Sequence, residues 1–178
     1  MMRTSETGLT LVELMVTVAV VAVLSAVAIP SFGAFVDSQS VKAASQSLLE
    51  DFRLARSEAI KRSARVGLCA SSTGTSCGGT GLWKDGWMVY HPSSPSGTFT
   101  PGDEIIRVQG AFKNIASIAP ASGETKERFT FEATGWAKLA TQTFWVVPKG
   151  AGAEAAKRLI CVSNNGRASL QAREARAC

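Results

Sequence analysis

Near its amino terminus the chain reads ETGLTLVELMVTVAVVAVLSAVAIPSF from Glu6 to Phe32, and no residue from Leu14 to Val36 is charged. A helix needs about 20 such residues to cross a bilayer, and lipid permits no other local backbone, because every amide must be satisfied within the segment. The run must therefore end up in lipid or against apolar protein. One acid, Glu13, sits at its head. Placing an acid in hydrocarbon costs about 2.5–3.5 kcal/mol on insertion scales, so residues kept against that cost are usually functional. Near a helix start Glu13 also meets the positive end of the helix dipole. The bland alternative is an interfacial acid that reaches water. A secretory signal is a competing reading of the whole run: Ala26-Val27-Ala28 has the small residues of a cleavage site. Against it, the uncharged stretch outlasts an ordinary signal core and Arg3 is the sole basic side chain before it.

Beyond Pro30, which lacks a backbone donor and should kink or loosen the helix, the pattern becomes amphipathic. Val41, Ala44, Leu48, Phe52, Ala55 and Ala59 recur at steps of three and four. Lys42, Gln46, Arg53 and Arg56 take the other faces, and Glu58 can meet Arg62 one turn on. The helix is expected to reach about Arg62. From Val66 short β-type runs alternate with turn residues: RVGLCAS, GWMVYH, EIIRVQ, RFTFEA, QTFWVVP and RLICVS. Asn165-Gly166 reads as a hairpin turn in which both residues tolerate positive φ. The fold class is α+β: a long N-terminal helix, membrane half plus amphipathic half, packed on a C-terminal antiparallel β-sandwich or curled sheet. Trp87, Phe129, Phe131, Trp145 and Ile160 are its expected core.

The chemistry of catalysis is hard to find here. His91 is the one histidine, is followed by Pro92 and reads as a strand-end or turn residue, so a hydrolytic triad lacks its usual base. CGGTG lacks the Lys-Ser/Thr of a phosphate loop, and Asp103-Glu104 reads as a turn entering a strand. No enzyme, no metal, no cofactor and no small-molecule substrate are expected. The four cysteines, Cys69, Cys77, Cys161 and Cys178, include no C-x-x-C pair and suit disulfides formed outside the cytoplasm. Three pairings are open; Cys69 with Cys77, closing a short loop, and Cys161 with Cys178, pinning the tail, are preferred. The chain carries a net charge of +5, and its last thirty residues hold six basic side chains against Glu154 and Glu174. Such a field attracts nucleic acid, anionic lipid or an acidic partner, or serves only solubility.

The motif Gly8-Leu-Thr-Leu-Val-Glu13 resembles a prepilin leader: a short polar leader ending in Gly, a hydrophobic residue, and Glu five positions after the Gly. ARSEAIKR at the helix end, DGWMVY at Asp85 to Tyr90, and RLICVSNNGRASL at Arg158 to Leu170 are similar to the GspH/FimT family of minor pilins and pseudopilins. The resemblance spans nearly the full length and implies a pilin-like fold. It implies cleavage by prepilin peptidase between Gly8 and Leu9 and N-methylation of Leu9, although Leu9 stands where the family usually has Phe. The apolar helix is then retained, with Pro30 where such helices commonly kink and Glu13 paired to the freed Leu9 amine of its own or a neighbouring subunit. The implied organisation is a leader at 1–8, a transmembrane and assembly helix at 9–36, its amphipathic continuation at 37–65, and a β-rich pilin-like domain at 66–178.

The implied function is that of a minor type IV pilin, a structural subunit that helps prime a pilus or is incorporated in it. The alternative is a GspH-like minor pseudopilin of a type II secretion system. Partners would be other pilins or pseudopilins, prepilin peptidase and the inner membrane, crossed once with the C-terminal domain in the periplasm. Relatives that serve DNA uptake carry a G-R-x-R motif near the end. This chain has Gly166-Arg167-Ala168-Ser169, so Gly166 and Arg167 carry over, Ser169 replaces the second Arg, and Arg173 and Arg176 lie near enough to substitute. DNA is the partner those residues would contact, through its phosphates.

Overall fold

The computed structural model describes residues 10–78, 83–120, 127–138, 142–150 and 153–171, with backbone alone at residues 27–31. One helix, α1 (Leu11–Arg62), precedes everything else. It is continuous through position 30, so Pro30 does not break it; proline removes a single donor, and the surrounding turns hold the helical path. Ser63 ends the helix in the left-handed region at φ 50°, closing bonds to the Ala59 and Ile60 carbonyls.

The strands follow as β1 (Val66–Ala70), β2 (Gly86–His91), β3 (Glu104–Gly110), β4 (Ile115–Pro120), β5 (Arg128–Phe131), β6 (Ala137–Lys138), β7 (Gln142–Pro148), β8 (Arg158–Val162) and β9 (Ala168–Leu170), with a short helix, α2 (Ala153–Ala156), before β8. They form two antiparallel sheets, ordered β3-β2-β1-β5-β6 and β4-β7-β8-β9. The apolar faces of both sheets converge on the second half of α1. Every residue of the predicted helix stripe, Val41 to Ala59, is fully buried there. Phe52 is central: its ring centroid lies 5.0 Å from Phe129 in the first sheet and 6.2 Å from Phe144 in the second.

Trp87, Phe129, Phe131 and Ile160 are core residues as expected, but Trp145 is not. Along β7 burial alternates, and Phe144 and Val146 take the inward positions while Trp145 faces outward. There its ring lies under the Lys157 ammonium, 4.9 Å from the centroid, an arrangement that suits a cation over an aromatic face. β1 and β2 are buried almost throughout instead of alternating. Their outer face is covered too, by a small cluster of Cys69, Met88 and Tyr90 with Cys77 and Phe99 from the flanking loops. Tyr90 lies across β1 at Gly67, where any Cβ would overlap its ring, and its hydroxyl donates to the Gly97 carbonyl at 2.9 Å.

Cys69 and Cys77 form a disulfide that fixes one of those covering loops. Cys161 is also disulfide-bonded; Cys178, its expected partner, lies outside the described residues. Polar ties complete the docking of α1. Arg62 makes a forked pair with Glu104 of β3, at 2.6 and 3.0 Å, while its Nε donates to Glu58 at 2.7 Å. Buried Asp51 accepts a bond from the Trp87 indole N–H at 2.7 Å, and its other oxygen lies 3.0 Å from Arg107 Nε.

Candidate functional site

Two surfaces stand out, and the first is the N-terminal half of α1. Leu11, Leu24 and Phe32 are 74%, 64% and 68% exposed, and the apolar side chains at residues 11–24 project on all sides. No described residue of the fold covers them. The described hydroxyls in this half serve the helix itself: Thr17 donates to the Leu14 carbonyl at 2.8 Å and Ser25 to the Val21 carbonyl at 2.7 Å. Past Glu13 at its head, the surface at residues 14–26 thus offers no polar group that demands water, which suits contact with lipid or other apolar helices. Among the described residues no helix is long and apolar enough to cross a membrane. The expected span at 9–36 includes Leu9 and the side chains of residues 27–31, which lie outside them.

Glu13 stands exposed in the first turn of α1. Thr10 is the N-cap, and its hydroxyl oxygen accepts from the Glu13 backbone N–H at 3.3 Å. Thr10-x-x-Glu13 has capping-box spacing, a helix-start signal that the sequence itself carries. The carboxylate itself has no partner among the described residues. Gly8 and Leu9, the expected cleavage and methylation positions, lie outside them.

The second surface is cationic and is built where two hairpin turns meet the helix. The β5–β6 turn closes with Gly135 N–H on the Glu132 carbonyl at 2.8 Å, and the β8–β9 turn with Gly166 N–H on the Ser163 carbonyl at 2.9 Å. In both the glycine has positive φ, 80° and 74°. The second turn corrects the two-residue expectation for Asn165-Gly166. It is a three-residue loop in which only Gly166 is left-handed, the alternative hairpin construction. The Asn165 side chain instead accepts from the Arg167 backbone N–H at 3.1 Å.

A hydrogen bond from Ala137 N–H to the Asn164 carbonyl, 3.1 Å, ties the two turns and hence the two sheets together. Gly166 packs so tightly on the Gly135 carbonyl that a Cβ would overlap it. Between these turns and α1 runs a groove of about 370 Å³, lined by Arg53, Arg56, Ser57, Ile60, Gly166, Arg167 and Ala168. Gly166 and Arg167 are therefore brought together with helix arginines, whereas Arg173 and Arg176 lie outside the described residues. Arg53 and Arg56 read from sequence as solvated faces of a helix. Only the position of the turns makes them part of a site.

The family of the type II transport protein GspH matches residues 44–166, from the buried helix stripe to the Gly166 turn. The chain belongs to that family. A prokaryotic N-terminal methylation motif matches residues 3–29, enclosing Gly8, Leu9 and Glu13. Among solved structures, the GspH-family chain is similar to the type IV minor pilin FimU of Pseudomonas aeruginosa. Identity is 20% with a TM-score of 0.61, covering 81% of this chain and 98% of that one. It is also similar to the minor pseudopilin EpsH from the type 2 secretion system of Vibrio cholerae, at 14% identity and a TM-score of 0.54, covering 76% and 99%. No curated protein sequence matches. The fold of this GspH-family protein is thus that of a type IV pilin, as the sequence resemblance implied.

Proposed function

We propose that this protein is a minor type IV pilin, a structural subunit that helps prime a pilus or is built into it. The observation that carries the reading is the bare apolar half of α1, whose head bears one acid, Glu13, inside a methylation motif. Prepilin peptidase cuts between Gly8 and Leu9, and Leu9 is methylated. The helix is held once across the inner membrane with the β-rich domain in the periplasm, and then passes into a filament where neighbouring helices bury it. Glu13 pairs with a Leu9 amine, which removes two charges from the apolar core together. The tail is pinned by Cys161–Cys178. The Glu13→Ala variant is then processed but enters filaments poorly; normal incorporation contradicts the pairing.

The GspH match favours one other machine, a type II secretion pseudopilus, in which the protein serves as minor pseudopilin. Deleting the gene separates the two: loss of surface pili with intact protein secretion supports the pilus, and the reverse supports the pseudopilus. Arg167, Arg173 and Arg176, with Gly166 shaping the turn, further suit contact with DNA phosphates during uptake. Binding of this kind weakens steeply with salt, so gel shifts at several salt concentrations test it. No shift at low salt excludes it.

A further inference from the structure

Three arginines of the groove, Arg53 and Arg56 on α1 and Arg167 in the β8–β9 turn, line it with no carboxylate among the described residues there. Elsewhere on the same domain arginines are matched: Arg62 with Glu58 and Glu104, Arg65 with Glu132, Arg107 with Asp51. Converging cations without a counter-ion repel one another. Moreover, Arg56 Nε is buried and has no hydrogen-bond partner among the described residues, an arrangement that native folds rarely leave unanswered. The side chain is nonetheless held. A Cβ at Gly166 would lie 3.3 Å from Arg56 Cδ, and one at Gly135 would lie 3.1 Å from Arg56 Nε. The two glycine turns therefore leave just the room that the arginine stem and head occupy.

We propose that this groove is a phosphate-binding site, with Arg56 as its fixed anchor and Arg53 and Arg167 as its outer arms. The guanidinium fork matches phosphate oxygens in pairs, and three positive charges suit a phosphate better than a single carboxylate. At about 370 Å³ the groove holds more than the ion alone, and half-exposed Ile60 offers apolar surface to whatever the phosphate is attached to. Resting on the DNA reading above, the phosphate is one of a nucleic-acid backbone, gripped between helix and hairpin and not by the tail alone.

The test uses the full chain in detergent micelles. Binding of a labelled DNA duplex is followed by anisotropy across salt, and the Arg56 Nε–H signal is followed by NMR during titration with inorganic phosphate. Arg53→Gln and Arg56→Gln should each weaken duplex binding about tenfold and flatten the salt slope by about one. Phosphate should move the Arg56 signal. Because Arg53 is exposed, its variant keeps the comparison valid if Arg56→Gln fails to fold. Duplex binding that ignores both helix variants but is lost with Arg167→Gln or Arg173→Gln overturns the groove and leaves the DNA reading intact. A phosphate-sensitive Arg56 signal without any DNA binding upholds the phosphate site and removes the nucleic acid. A signal unmoved by either phosphate or DNA overturns the site.

Discussion

Asp51 of α1 and Trp87 of β2 are joined by a buried 2.7 Å hydrogen bond from the indole N–H to the carboxylate. It fastens the helix to the first sheet at a point where the carboxylate is wholly shielded from solvent. Burial pushes the Asp51 carboxyl above its ordinary pKa, against the opposing pull of the Trp87 bond and of Arg107. A raised carboxyl favours the folded state when protonated, so stability should fall as pH rises from about 4 through the folded value. Asp51→Asn keeps an acceptor for Trp87 and should lose that fall. Asp51→Leu strands the indole N–H and should cost about 1–3 kcal/mol. Urea unfolding from pH 4 to 7 reads both effects.

Asp103 behaves in the opposite sense. Burial pushes it up, but bonds from the Ser93 hydroxyl and amide, at 2.6 and 2.9 Å, and from the Thr100 amide, at 2.7 Å, outweigh this and hold it at about 2. Its contribution should be complete above pH 4 and vanish as pH falls through about 2. Asp103→Asn should therefore destabilise the protein at pH 7, by about 1–3 kcal/mol, and match the wild type near the acid limit. Thermal unfolding at the two pH values checks the difference.

The Cys69–Cys77 bridge closes a short loop over the outer face of β1, beside Met88 and Tyr90. A crosslink of this span contributes about 2–3 kcal/mol through the unfolded chain. The double variant Cys69→Ala, Cys77→Ala should lose about that much while the helix side of the core stays intact. Hydrogen exchange should then rise in β1 and β2 before it rises in α1.

Much of this architecture was legible in the residues, for reasons that differ by element. The α1 stripe was readable because a helix repeats its buried face every three or four residues, and Phe52 obeys that spacing. β7 was found as a strand yet misassigned by one position: both Phe144 and Trp145 are aromatic, and only the pleat decides which points inward. β4 and β6 escaped notice because IASIAP and a two-residue strand carry no alternation strong enough to see. The loop cover over β1 and β2 is a tertiary fact that no local pattern encodes. The groove escaped for a related reason. Gly166 reads as an ordinary turn glycine, and its contact with Gly135 and with Arg56 joins positions far apart in the chain.

The central claim is that the apolar half of α1 is kept for assembly. The mass of the protein isolated from cell envelopes, with its N-terminus fragmented, tests this most directly. The account predicts a chain that begins at Leu9, one methyl group heavier than its sequence, with Glu13 five residues in. A chain beginning after Ala28, its apolar helix removed, would contradict it.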